Sequence, residues 1–166
     1  MALGNRVKTD ALTTVYDSEV YPLGTYFVQQ ADEVVGDDSL EGDRTWLFIE
    51  SEGITANALL RRSSTSSSFK VADSAASNAT ELLNLAGVAN HAIASGKYGW
   101  IVVRGETTVL NAATVAAGNN LISTSGAAGK CKPAAGGATD SFAVFGRALT
   151  AQSGAGSVKA FVDFRA

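Results

Sequence analysis

The sequence is poor in the residues that most often mark chemistry. Its 166 residues include one cysteine, one histidine and two prolines. Cys131, being alone, cannot close a disulfide within the chain, so no disulfide framework holds the fold. One thiolate is also too few for a structural zinc site. With His91 as the sole imidazole, any metal site would have to be rich in carboxylates. Charged residues are 17% of the chain, below the roughly 25% of an average globular protein. No apolar run approaches the ~20 residues that span a bilayer. The longest candidate, residues 82–94, is interrupted by Asn84, Gly87, Asn90 and His91. The opening residues, MALGNRVKTD, lack the apolar centre of a signal peptide. The expectation is a soluble protein with no membrane partner. Two prolines and no glycine period exclude collagen.

Small side chains are abundant: 28 alanines, 17 glycines, 16 serines and 14 threonines. Of the 45 alanines and glycines, 37 lie after residue 53. The length fits one domain, on the usual prior of ~100–200 residues, with enough chain to bury a core. Aromatics at 8% argue against a disordered tract.

The net charge of −3 conceals an asymmetry. Residues 1–53 hold 11 acidic and 3 basic side chains, whereas residues 54–166 hold 5 and 10. The two parts can pair within one chain or between neighbouring chains. Nucleic acid is not the expected partner. The later basic residues are scattered, with only Arg61-Arg62 and Lys130/Lys132 close in sequence, and such scatter reads as a solvated face.

Along the chain the pattern is that of strands and turns. Residues 1–20 show neither a helix cap nor a helical period and read as an extended N-terminal arm. Residues 21–166 then read as a single β-rich domain. Tyr21-Pro22-Leu23-Gly24 is a turn signal before a strand at 25–29. Residues 30–44 form an acidic loop whose spacing does not match an EF-hand, so a solvated loop is preferred to a cation site. Thr45–Glu50 is a short apolar run of buried-strand type. A Ser-rich loop is expected at 61–68. Residues 73–94 fit a strand better than a helix, with Val88, Asn90, Ala92 and Ala94 on one face and Ala89, His91 and Ile93 on the other. Trp100–Arg104 is a strand closed by Gly105, with Val109-Leu110 a separate short piece. Strands at 142–149 and 158–164 make a hairpin. Ala92–Gly96 is echoed by Thr114–Gly118, but a single echo does not make a repeat architecture. The fold class is mainly β: a compact antiparallel sandwich or barrel, jelly-roll-like, with the arm attached.

The search for catalytic chemistry yields nothing. There is no Gly-x-Ser-x-Gly elbow to join His91 in a triad. Lys130 and Lys132 flank Cys131 in a loop and favour a lowered thiol pKa, yet no orienting partner is evident and the thiol reads as incidental. A Cys131–His91 pair is the minor alternative. Gly154-Ala155-Gly156 is not followed by a helix, so no dinucleotide fingerprint forms. Trp46, Trp100, Phe142, Phe145, Phe161 and Phe164 fall in strands and are expected in the core. No catalytic residue, cofactor or metal is assigned, and the protein reads as a non-enzyme.

Residues 85–105, LAGVANHAIASGKYGWIVVRG, resemble small virion proteins of tailed bacteriophages, as do 146–151 followed by 158–162. The most distinctive part is Gly96-Lys97-Tyr98-Gly99-Trp100. The resemblance spans roughly 82–166 and points to the capsid decoration, or cement, proteins. It implies a homotrimer on the virion capsid surface, made in the host cytoplasm and bound to the major capsid protein. Such a protein bridges capsid subunits and stabilises the expanded head. The contact residues expected on that reading are Arg6, Lys8, Tyr16, Tyr21, Asp37, Asp38, Arg61 and Arg62. Deleting residues 1–20 is then expected to weaken decoration and leave the β body folded. The alternatives are a tail or head-fibre virion component and a carbohydrate- or surface-binding β module.

Overall fold

The computed structural model describes residues 12–30, 42–63, 69–74, 84–124, 126–135 and 144–164. They form ten strands: β1 (Tyr26–Gln29), β2 (Arg44–Ser51), β3 (Leu59–Arg62), β4 (Lys70–Asp73), β5 (Leu85–Ala89), β6 (Tyr98–Asn111), β7 (Asn120–Ser123), β8 (Cys131–Pro133), β9 (Gly146–Ala148) and β10 (Gly156–Asp163). All ten belong to one sheet. Most pairings are antiparallel, but β2–β4 and β6–β8 are parallel, so the sheet is mixed. No helix among the described residues is long and apolar enough to cross a membrane.

The sheet closes on itself twice. One circuit runs β2–β4–β3–β5–β6 and returns to β2; the other runs β6–β10–β9–β7–β8 and returns to β6. The two circuits share β6. Its first half, Tyr98–Arg104, pairs with β2, and its second half, Arg104–Asn111, pairs with β10. Closure at β2–β4 rests on Glu50↔Lys70 and Ser51↔Val71, and closure at β6–β8 on Asn111↔Cys131.

Two apolar clusters follow from this layout. Leu47, Ile49, Leu60, Val71, Ala86, Ala89, Ile101 and Val103 draw on every strand of the first circuit. The second cluster draws Val109, Leu121, Cys131, Ala148, Val158, Ala160 and Val162 from the second circuit. It continues through Trp46, Phe48, Trp100 and Val102, on the other face of β2 and β6. Successive residues of β2 and β6 therefore enter different clusters, because strand side chains alternate sides. Burial on both faces explains why Thr45–Glu50 and Trp100–Val103 read as unbroken apolar runs. The same holds for Val88 and Ala89, which are both buried but face different clusters, so β5 shows no polar face. Five-stranded circuits enclose little room, and alanines at 58, 86, 89, 148 and 160 fit where leucines would not. Gly146 shows the same limit, since a Cβ there would meet Phe161 O at 2.5 Å.

Strand β6 runs through Gly105 instead of ending there, so Val109-Leu110 is its continuation. Gly105 has φ of 109°, a value L side chains rarely adopt. A Cβ at this position would stand 2.5 Å from Asp43 O. A bulge falls beside it: Thr45 pairs with Arg104, but Trp46 pairs with Val102. The irregularity bends β6 from one circuit into the other.

The echo seen at 92–96 and 114–118 belongs to a larger set. Pro22–Thr25, Thr55–Ala58, Ala94–Lys97, Ala116–Asn119 and Ala127–Lys130 each close with an N–H of the fourth residue donating to the C=O of the first, at 3.1–3.3 Å. The third residue has positive φ every time: Gly24, Asn57, Gly96, Gly118 and Gly129. Its N–H donates to the backbone of another segment, at Phe48, Ala89, Ser51, Ala148 and Ser74 respectively. A strand begins at the next residue in all five cases (β1, β3, β6, β7 and β8). Glycine or asparagine is needed at the left-handed position; the remaining small residues of these turns fit the chain's composition.

Other expectations are adjusted. The described part of the arm, residues 12–20, lies on the body: Leu12 is 1% exposed in the core. Removing residues 1–20 would uncover that core. Arg61 and Arg62 end β3 and so are not part of the Ser-rich loop, whose residues 64–68 lie outside the described residues. The C-terminal hairpin forms as β9 with β10. Its first strand is confined to 146–148 among the described residues. Phe161 is 41% exposed, against the expectation of a core position.

Candidate interaction surface

The N-terminal segment builds an aromatic cluster over the outer face of β2 and β6. Tyr16 and Tyr21, both expected contact residues, meet edge-on with ring centroids 6.2 Å apart. Both also pack edge-on against Phe48, at 5.9 and 5.3 Å. Trp100 lies 5.2 Å from Tyr21 and 6.4 Å from Phe27. Tyr98 stacks on Phe48 at 6.3 Å with 13° between planes. Tyr16, Tyr21, Phe27 and Tyr98 are half-buried, so the cluster joins the core below to the surface above. Trp46 donates its Nε1–H to Gln29 Oε1 at 3.1 Å within this layer.

Ion pairs tie the acidic first third to the later basic body. Lys97 Nζ meets Asp17 Oδ1 at 2.9 Å, and Lys70 Nζ meets Glu50 Oε1 at 2.9 Å. The hydrogen bond from Lys97 holds the Asp17 carboxyl below its usual 3.8. The corresponding bond to Glu50 raises the Lys70 ammonium above 10.5. Part of the charge asymmetry is thus spent inside the chain, as intrachain pairs.

Among the described residues, large apolar side chains that remain in solvent fall in two places. Val15, Val20, Tyr26 and Val28 are in the N-terminal part; Val144, Leu149 and Phe161 lie towards the C-terminus. In β1 the exposed Tyr26 and Val28 alternate with half-buried Phe27 and buried Gln29. Phe161, on β10, lies opposite Glu106 on one side and Arg147 on the other. An ion pair, Arg104 Nε to Asp163 Oδ2 at 3.6 Å, flanks it. Phe161 is thus an exposed apolar ring set among charged side chains.

Of the other expected contact residues, Arg61 and Arg62 are half-buried beside Ala72 and Val71 of β4, remote in sequence from the tyrosines. Arg6, Lys8, Asp37 and Asp38 lie outside the described residues, as does most of the acidic loop. Tyr26 and Val28 are not among the residues the sequence singles out, and Phe161 is read there as core. The alternation in Tyr26–Gln29 was a usable signal, but nothing in it says which face has a neighbour.

Cys131 and His91, weighed above as a pair, differ in burial. Cys131 is fully buried, and desolvation pushes its thiol up to about 12. The flanking lysines therefore do not activate it. Burial lowers the pKa of the His91 imidazole, whose two ring nitrogens are enclosed with no hydrogen-bond partner among the described residues. Among the described residues no group of three or more His, Cys, Asp or Glu is arranged to hold a metal ion.

No protein-family model and no curated protein matches the chain. Among solved structures it is similar to the head fiber gp8.5 N base of bacteriophage phi29. The TM-score is 0.51 at 16% sequence identity, covering 73% of this chain and 95% of that one. At this identity the likeness is one of fold.

Proposed function

We propose that this chain is a structural protein of a tailed-bacteriophage virion, held on the outside of the head. The observation that carries the reading is the fold likeness to a head-fiber base, on a chain whose 82–166 region independently resembles phage virion proteins. Within that reading we take the chain to be a capsid decoration protein. It would act as a homotrimer that bridges major capsid protein subunits and stabilises the expanded head. Each contact need only be weak, since tethering three copies multiplies avidity. Binding the expanded lattice alone would stabilise that state by linkage. No catalysis, cofactor or nucleic acid enters the proposal.

A head-fibre role is the second reading, favoured by the nature of the structural neighbour itself. Purified protein added to expanded heads, followed by cryo-microscopy and head melting, separates the two. A decoration protein should fill repeated lattice sites and raise the melting temperature of the head. A fibre component should give projecting density at a few symmetry positions without changing head melting. Failure to bind heads, together with absence from purified virions, would overturn both.

A further inference from the structure

Among the described strands, nine have two or more neighbours in the sheet, and β1 has one. Double closure leaves this strand as the free edge. Which of its backbone groups are free follows from register. Phe48 N–H donates to Thr25 C=O at 2.9 Å, so 25↔48 is a hydrogen-bonded pair. In an antiparallel ladder such pairs alternate, so Phe27↔Trp46 and Gln29↔Arg44 are bonded as well. The N–H and C=O of Tyr26 and Val28 therefore point away from β2. The same two residues hold the most exposed large apolar side chains described, at 58% and 54%.

Natural edge strands are protected by charge, proline or a bulge. Strand β1, Tyr-Phe-Val-Gln, has no charge and no proline, and its register with β2 is unbroken. We infer that β1 is a pairing edge for a second copy of this chain, antiparallel about a two-fold axis through Phe27. In that register Tyr26 lies opposite the partner subunit's Val28, and Val28 opposite the partner subunit's Tyr26. The outward N–H and C=O groups of all four residues then bond across the axis. Each exposed tyrosine gains a β-branched cross-strand neighbour, a favourable pair. The lack of charge on the strand removes direct like-charge opposition, which would otherwise disfavour a copy of itself. The contact is isologous and stops at two copies. It does not depend on the virion reading.

Sedimentation equilibrium on the full chain over a wide concentration range tests it. Mass should rise with concentration towards twice that of the unpaired species. Val28→Pro should abolish that doubling and leave circular dichroism and melting unchanged, because the Val28 N–H points away from β2, its one neighbour among the described strands, and edge strands accept proline there. Tyr26→Lys should act likewise. Under oxidation the double variant Tyr26→Cys/Val28→Cys should yield a covalent dimer, and Tyr26→Cys alone should not, since position 26 faces 28. The native Cys131 is buried and should not interfere. An association pattern unchanged by Val28→Pro, a chain that never doubles at its highest soluble concentration, or equal cross-linking by Tyr26→Cys alone would overturn the inference. Binding of another virion protein that is lost in Val28→Pro, with no self-association in the native chain, would assign the edge to that protein instead. A trimer that persists in Val28→Pro would leave the decoration reading standing.

Discussion

Tyr16 and Tyr98 exchange both backbone hydrogen bonds, Tyr16 N–H to Tyr98 O at 2.9 Å and Tyr98 N–H to Tyr16 O at 3.0 Å. This bridge fastens the N-terminal segment to the first residue of β6. The tyrosine rings then pack on Phe48 and Trp100, and Leu12 joins the same buried cluster. The segment is part of the folded body, whatever it also contacts. Leu12→Ala should therefore cost about 2–5 kcal/mol, as expected for a fully buried leucine, read as a fall in the urea midpoint. An unchanged midpoint would mean the segment is not docked.

Gly105 should be the glycine least tolerant of change. Its positive φ and the backbone of Asp43 and Arg44 leave no room for a side chain. Gly105→Ala should cost about 2–4 kcal/mol, combining strain and overpacking. Gly96 also has positive φ but opens on empty space, so Gly96→Ala should cost only about 1–2 kcal/mol. Equal losses in chemical unfolding would contradict the bulge account.

Stability should fall as pH drops through the histidine range. Burial depresses the folded pKa of His91 below 6.5, so the unfolded chain binds the extra proton first. Stability then rises with pH through this window and is fully present above 6.5. His91→Gln should flatten the melting temperature between pH 5 and about 7. Because the chain has one histidine, its imidazole NMR titration reads the shift directly.

Cys131 should be silent towards thiol reagents at pH 8 in the folded protein, given burial and a pKa of about 12. Labelling should appear only on unfolding, at the unfolding rate. Rapid modification of native protein would place the thiol at the surface.

Two of the C-terminal phenylalanines, Phe145 and Phe161, should behave oppositely. Phe145→Ala empties a buried site and should cost about 3–5 kcal/mol. Phe161→Ala, on the exposed face of β10, should change stability by about 0.5 kcal/mol or less. If the patch binds a partner, its loss should appear in that binding instead.

Much of the β content was legible. Thr45–Glu50, Trp100–Arg104 and the 158–164 run each carry the composition of a strand, and Gly24, Gly96 and Gly118 mark turns that do form. Less legible was the fate of Gly105, read as a strand end because glycine usually punctuates; a close approach from Asp43 is a long-range event. Phe161 looked like core because the neighbours that would bury it cannot be read from its own strand.

By itself, then, the sequence determined the class: short strands, tight left-handed turns and small side chains, all local preferences written in a few adjacent residues. Only the tertiary structure decided that the sheet closes twice around β6. Those closures rest on pairs such as Glu50↔Lys70 and Asn111↔Cys131, 20 residues apart in chain order in each case. Period-two alternation tells how a strand divides its side chains between two faces. It does not tell what lies along its edges, which is why β1 emerged as the open one among the described strands only once the others had found their neighbours.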